Sequence, residues 1–317
     1  MTGRLEVRRW QRLGTPLHAV ALSSDGQYVA VGSETGPLLF NAAGEAILTH
    51  SMPELASPVR QVALSPAADR LYLGLRTGEV LCANLYHKEN EFTLEDVRIL
   101  HTTSNDLHTL AISTDDRRIA LGHLSARLTL LASDGELRWR SQPNEVVNSM
   151  WSVAFDLTNE NLYVASAGTG TNRLAVLNLA DCQSPAAGYL EPDLRATALA
   201  VQRDGVVVVL LDSTYYDCEI VKYNPDLSQT LWKFSPAEMV TALATDAAQD
   251  ARPADKTERL AVACGYEGRV ILIDGSTGNV IAETVLRAGV NSLALAQGRI
   301  LAAVTQDDSL ALLQYVP

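Results

Sequence analysis

Six histidines are the first candidates for chemistry, because imidazole is the side chain that most readily moves protons or ligates metals near neutral pH. His18, His50, His87, His101, His108 and His123 all fall in the first 123 of 317 residues. Two share a context: His18 in LHAVAL and His108 in LHTLAI each stand three residues before an alanine. Zinc needs three or four ligands converging at about 2.0–2.3 Å, and the matching place in a third copy of the phrase holds Arg60. The pair therefore reads as polar side chains at one recurring position, not as half of a metal centre. Cys82, Cys182, Cys218 and Cys264 have no close paired spacing, which fits free thiols in a reducing compartment better than a zinc or disulfide framework.

Other chemistry is thinly represented. There is no nucleophile elbow, P-loop or dinucleotide fingerprint, and Gly168-Thr169-Gly170 has no following helix on which a phosphate could rest. Arginine beside tryptophan, at Arg8-Arg9-Trp10 and Arg138-Trp139-Arg140, is the pairing that stacks on nucleic-acid bases. Both lie in alternating segments where Trp points inward and Arg outward. The formal charge of −12 also repels a phosphate backbone or an anionic membrane, so neither nucleic acid nor membrane insertion is expected.

The elements that must carry these residues come from a repeat. The phrases LHAVALSSDGQYVAVGSETG, VRQVALSPAADRLYLGLRTG and LHTLAISTDDRRIALGHLSA align without gaps from Leu17, Val59 and Leu107, and looser copies follow. Their anchor alanines are Ala21, Ala63, Ala111, Ala154, Ala200, Ala244 and Ala294, spaced 42, 48, 43, 46, 44 and 50 residues apart. That period, roughly 40–50 residues, is one four-stranded propeller blade. Each unit reads as strand a at the anchor, a hairpin turn such as Asp25-Gly26 or Asp204-Gly205, then apolar strands b and c, then a more polar strand d. Blades start near residues 17, 59, 107, 150, 196, 240 and 290. The seventh has no strand d of its own before Pro317, so residues 4–13, with Leu5, Val7 and Trp10, are expected to supply it. The fold class is all-β: one seven-bladed β-propeller over residues 1–317, whose N-terminal strand completes the last blade.

Residues 23–32, SSDGQYVAVG, resemble the a–b hairpin of WD-repeat propellers, and residues 131–139, LASDGELRW, resemble the c–d hairpin of quinoprotein-type propellers. The resemblance spans nearly the whole chain and implies a rigid disc that displays loops. No Trp-Asp dipeptide occurs, and Gly122-His123 follows strand b instead of preceding strand a, so the WD-repeat hydrogen-bonded tetrad has no counterpart here and no quinone or other cofactor is expected.

In such a disc, the d–a and b–c loops share one face, here called the top. The channel mouth there reads His18, Arg60, His108, Trp151, Thr197, Thr241 and Asn291, without the carboxylates with which propeller hydrolases hold a cation. The top loops also carry Met150, Trp151, Tyr215, Tyr216, Asp217, Tyr266 and Glu267, and large aromatics on exposed turns anchor interfaces. A–b and c–d loops share the bottom, where residues 181–193 and 246–258 read as mobile insertions, and residues 87–96 lengthen a rim connection with charge. The first fourteen residues, MTGRLEVRRWQRLG, lack the apolar stretch of a secretory signal. Few lysines and abundant alanine suggest a bacterial coding sequence. The expectation is a cytoplasmic, non-catalytic scaffold binding a protein or peptide partner through its top face. The alternative is a small-molecule hydrolase or isomerase working at the channel mouth.

Overall fold

The computed structural model describes residues 3–48, 55, 57–88, 91–103, 106–124, 127–141, 149–167, 172–180, 185–190, 192–212, 217–245 and 258–317. The chain is a seven-bladed β-propeller. Blade 1 contains β2 (Leu17–Leu22), β3 (Tyr28–Ser33) and β4 (Gly36–Asn41); blade 2 contains β5 (Val59–Leu64), β6 (Arg70–Leu75), β7 (Val80–Lys88) and β8 (Glu91–His101). Blade 3 follows as β9 (Leu107–Ile112), β10 (Arg118–His123), β11 (Leu128–Ala132) and β12 (Leu137–Arg140). Blade 4 has β13 (Ser149–Phe155), β14 (Asn161–Ala167), β15 (Asn172–Asn178) and β16 (Pro185–Leu190); blade 5 has β17 (Arg195–Gln202), β18 (Gly205–Leu211), β19 (Cys218–Tyr223) and β20 (Thr230–Phe234). Blade 6 comprises β21 (Val240–Thr245), β22 (Arg259–Cys264), β23 (Arg269–Asp274) and β24 (Val280–Val285). Blade 7 comprises β25 (Val290–Ala296), β26 (Ile300–Thr305) and β27 (Ser309–Val316), with β1 (Arg4–Arg12) as its outer strand. Two compact units emerge, one of residues 1–104 with 241–317 and one of residues 105–240.

The core lies between stacked blades, which is why strands b and c are apolar on both faces. Val206–Val209 are buried throughout, as are Leu260–Cys264. In the first unit, Leu71 and Leu73 pack with Ala30 and Leu39 of blade 1, and Leu272 packs with Leu301 and Leu313 of blade 7. In the second, Val206 and Val208 meet Tyr163 and Ala165, and Val164 joins Leu128 and Leu130. The strand-b glycine of the repeat permits this approach: a Cβ on Gly32 would lie 2.8 Å from the carbonyl oxygen of Val59, and one on Gly122 would lie 2.8 Å from the Cβ of Met150.

Polar turns close the a–b hairpins in one pattern. Ser23, Ser65 and Ser113 are buried, and each hydroxyl donates to an aspartate, Asp25, Asp69 or Asp115, at 2.6 Å. The same oxygens accept the main-chain N–H of Tyr28, Arg70 and Arg118 at 2.9 Å. Between blades 4 and 5 the Tyr163 hydroxyl donates to the Pro225 carbonyl at 2.9 Å, and burial, with Asp156 and Asp226 nearby, pushes its pKa up to about 12.

β1 pairs antiparallel with β27 from Arg4 opposite Val316 to Arg12 opposite Ser309. The spacing of Leu5, Val7 and Trp10 breaks strict alternation, and a β-bulge between Val7 and Arg9 restores it. The extra residue, Arg8, lets all three share the face of Ala311, Leu313 and Tyr315. Leu5 is buried and Trp10 packs on the same cluster, but Val7 is 43% exposed, contrary to the expectation that it covers core.

Three other expectations change. Blade 1 has a three-stranded sheet: after β4, Ala46 bridges back to Phe40, while Leu48 bridges to Phe92 of blade 2, so this segment leaves its own blade after a few residues. Residues 87–96 are not a rim loop but mostly ladder, with Asn84 opposite Glu95 and Lys88 opposite Glu91. Phe92 is buried there and meets Tyr28 edge-on at 4.8 Å, so an apolar ring anchors the hairpin. Within residues 181–193, residues 185–190 form β16, the outer strand of blade 4, because β15 needs a partner for its outer edge. Cys82, Cys218 and Cys264 are buried free thiols; Cys182 and residues 246–257 lie outside the described residues.

Two outcomes follow. Gly32→Ala should destabilise by about 1–3 kcal/mol, since backbone must yield to the new Cβ, read as a lower urea midpoint with unchanged m-value; an unchanged midpoint would refute the close approach. Deleting residues 1–13 uncovers the apolar outer face of β27, and the protein should aggregate or melt far earlier. A soluble truncation with unchanged melting would sink the role of β1.

Candidate functional site

The channel-mouth positions have a common backbone cause. In blade 1, Leu17 pairs with Ser33 and Ala19 with Gly32, leaving His18 as the extra residue of a β-bulge. The same skip isolates Arg60 between Val59 and Gln61, His108 between Leu107 and Thr109, and Trp151 between Met150 and Ser152. Thr197 lies between Ala196 and Ala198, and Asn291 between Val290 and Ser292, in the same way. A bulge re-aims one side chain out of the pleat, so each of these residues is released from its ladder at the start of strand a.

The residue just before each bulge points the other way, into core. Leu17, Val59, Leu107, Met150, Ala196 and Val290 are all buried. Met150 is fully covered and packs with Leu128 and Leu130. It is therefore a core plug, and it leaves the expected top-face surface.

In the unit of blades 1, 2, 6 and 7, His18 sits between two charges. Its Nε2 lies 3.0 Å from Glu34 Oε2, and Arg60 Nη1 lies 3.0 Å from its Nδ1. With arginine donating to Nδ1, the ring proton is placed on Nε2 and donates to the carboxylate. Asn291 Nδ2 donates to the Leu17 carbonyl at 3.1 Å, and Ser292 Oγ accepts the Val20 N–H at 3.3 Å. Thr241 Oγ1 donates to the Ala263 carbonyl at 3.4 Å. These side chains serve neighbouring strands.

In the unit of blades 3, 4 and 5, His108 meets Trp151 edge-on, with ring centroids 5.0 Å apart and planes at 82°. The Arg195 guanidinium lies 5.6 Å from the centre of the same indole, a cation–π geometry. Ser152 Oγ accepts the Leu199 N–H at 3.1 Å, as Ser292 does for Val20. Thr197 Oγ1 donates to the Val209 carbonyl at 3.4 Å. Trp151 is thus half-buried and clamped.

Tyr266 is different. It stands 69% exposed on the b–c turn of blade 6, beside exposed Glu267. That turn is tight: a Cβ on Gly268 would lie 2.1 Å from the Ala288 carbonyl oxygen, and its φ is +81°. The Gly268 carbonyl accepts the Leu286 N–H at 2.9 Å. Asp217 is exposed where β19 begins, while Tyr215 and Tyr216 lie outside the described residues, as do residues 168–170. Among the described residues no three His, Cys, Asp or Glu side chains come together as metal ligands.

Two contributors, Glu34 and Arg195, stand outside the residues expected from the sequence. Glu34 sits in the SETG turn of the clearest repeat, where its blade 2 counterpart is Arg76, and this charge difference was a usable signal. Arg195 precedes Thr197 by two residues and carries no periodic mark.

Burial holds His108 below the ordinary histidine value of 6.5. The folded chain then resists a proton that the unfolded chain accepts, so this contribution to stability is intact above about pH 6.5 and fades as pH falls. Amide exchange in β9 should quicken between about pH 7 and about pH 5 beyond its intrinsic dependence, and His108→Phe should flatten that extra term. An identical profile in both proteins would absolve His108.

The sequence matches no family model and no curated protein. Solved structures do share its architecture: Raptor from Chaetomium thermophilum superposes with a TM-score of 0.78 at 14% identity, covering 100% of this chain. The chain spans 29% of that protein's length, and at this identity the likeness is one of fold.

Proposed function

We propose that this chain is a non-catalytic scaffold that binds a protein or peptide partner through the face bearing its b–c turns, with Tyr266 as an anchor. The observation carrying this is a tyrosine 69% exposed on a turn whose glycine packs against neighbouring main chain. A ring held out at low entropic cost is the side chain that dominates interfaces. The mouth supports binding over catalysis, because His18, Asn291, Ser152 and Ser292 are engaged with neighbouring blades and Glu34 is engaged by His18. The repeat phrases that resemble WD-repeat hairpins favour the same reading. So does the superposition on Raptor, which extends well beyond the propeller. The buried thiols Cys82, Cys218 and Cys264 suit a reducing compartment, which supports a cytoplasmic location for the scaffold.

A photo-crosslinking amino acid at position 266 should yield one discrete adduct in cells of the native host, whereas the same group at Glu136, on a c–d turn, should not. Tyr266→Ala should weaken capture of the adduct's partner by tenfold or more, about 1.4 kcal/mol or above, with melting unchanged within a few degrees. Equal adducts at both positions, or capture indifferent to Tyr266→Ala, would defeat the proposal.

A further inference from the structure

The outer edge of blade 7 inverts the charge of the molecule. The chain carries a formal −12, yet β1 reads RLEVRRWQR, four arginines against one glutamate in nine residues. Glu6 is spent on its own strand, paired with Arg4 and, at 3.0 Å, with Arg8. Arg9 and Arg12 are exposed, and among the described residues neither meets a carboxylate. The stem of Arg9 lies over Gly44, whose added Cβ would be 3.0 Å from Arg9 Cγ and 3.5 Å from its Cδ. Arg287 stands over Trp10, 5.7 Å from the ring centre, and adds a further cation with no acidic partner among the described residues. Other outer strands differ: β8 carries Glu91, Glu95 and Asp96, and the short basic β12 ties Arg138 to Glu136 at 3.0 Å.

β1 is also an open edge. It ends its sheet, β27 takes one side, and among the described residues no strand takes the other. Val7, 43% exposed, offers an apolar footing on the same strand. We propose that this edge docks an extended acidic segment of a partner protein, taken up as a fifth strand of blade 7.

The main-chain groups supply pairing, as in other strand additions, and the arginines supply selection. Two β1 edges would set arginine against arginine, so the charge that blunts self-pairing admits an acidic strand. Because Arg9 lies on the Leu310 and Leu312 face, while Trp10 and Arg12 lie on the Ala311 and Ser309 face, the acidic residues fall on both faces of the added strand. Consecutive acids, not strict alternation, are what this edge selects. Along about 30 Å of strand a short peptide meets only the arginines. A nucleic acid or bilayer extends well past that strip, more than the Debye length of about 8–10 Å, and meets the anionic remainder. The site is separate from Tyr266 and stands or falls without it.

The test uses the full chain and a fluorescein-labelled peptide in which three alternating valines and threonines precede four glutamates, with fluorescence anisotropy as readout. Binding should weaken steeply from about 50 to about 500 mM salt, and glutamine in place of glutamate should abolish it. Arg9→Gln with Arg12→Glu should cost about tenfold or more in affinity, and Arg12→Gln with Arg287→Gln, which leave the stem over Gly44 in place, should reproduce most of that loss. Proline at the peptide's centre should weaken binding comparably, since it removes a ladder donor. Equal binding of the glutamine or proline peptide overturns the proposal. So does tighter, equally arginine-dependent binding of heparin or phosphatidylserine vesicles. Arginine-dependent dimerisation in sedimentation would overturn it too, assigning the edge to a second copy.

Discussion

Every sheet in this protein has two edges, and the demand that their main-chain groups be satisfied shapes the whole structure. At the inner edge, strand a has no further strand to pair with. Ser152 and Ser292, each one residue past a bulge, accept the N–H that stands two residues past the bulge in the adjacent blade. Asn291 donates to the Leu17 carbonyl in the same spirit. Blades 4 and 5, and blades 7 and 1, are therefore joined along strand a by side chain to main chain, and apolar faces fill the space behind. At the outer edge the solution is different, because solvent is available there and charged side chains suffice.

The repeat phrase encodes this packing economically. Its glycine in strand b is not a turn residue; it marks where the next blade's first strand presses in, as Val59 does on Gly32 and Met150 on Gly122. Its serine opens the a–b turn and is buried, closing a small polar circuit with an aspartate and a main-chain N–H. Its first apolar residue plugs the interblade core, and the following residue is swung out by the bulge. One short sequence thus specifies a plug, a mouth residue and a turn in order.

This explains what was legible and what was not. The seven blades and the swap of β1 into blade 7 follow from anchors such as Ala21 and Ala294 and from the missing outer strand before Pro317, since both depend on period and count alone. The recurring place of His18, Arg60, His108, Trp151, Thr197 and Asn291 at the head of strand a was legible for the same reason. What escaped were facts that period cannot carry. Met150 looks like an exposed neighbour of Trp151 until the bulge turns the two in opposite directions. Leu5, Val7 and Trp10 look like one inward stripe, yet their uneven spacing demands the bulge at Arg8 and still leaves Val7 in solvent. β16 was hidden because its alanines and glycine lack a strand's usual β-branched signature. The clamps on His18 and Trp151, Glu34 and Arg195, are set by tertiary distance.

The bulge at the head of strand a has an implication for how such a molecule changes over generations. Histidine, arginine, tryptophan, threonine and asparagine all occupy that single position in different blades, and the sheets behind them keep the same pairing. A side chain outside the ladder is uncoupled from the fold's vocabulary, so drift or selection can rewrite the mouth letter by letter while the blades stay as they are. The fold behaves as a row of sockets with exchangeable inserts, and a designer wishing to give it new recognition would begin at those sockets.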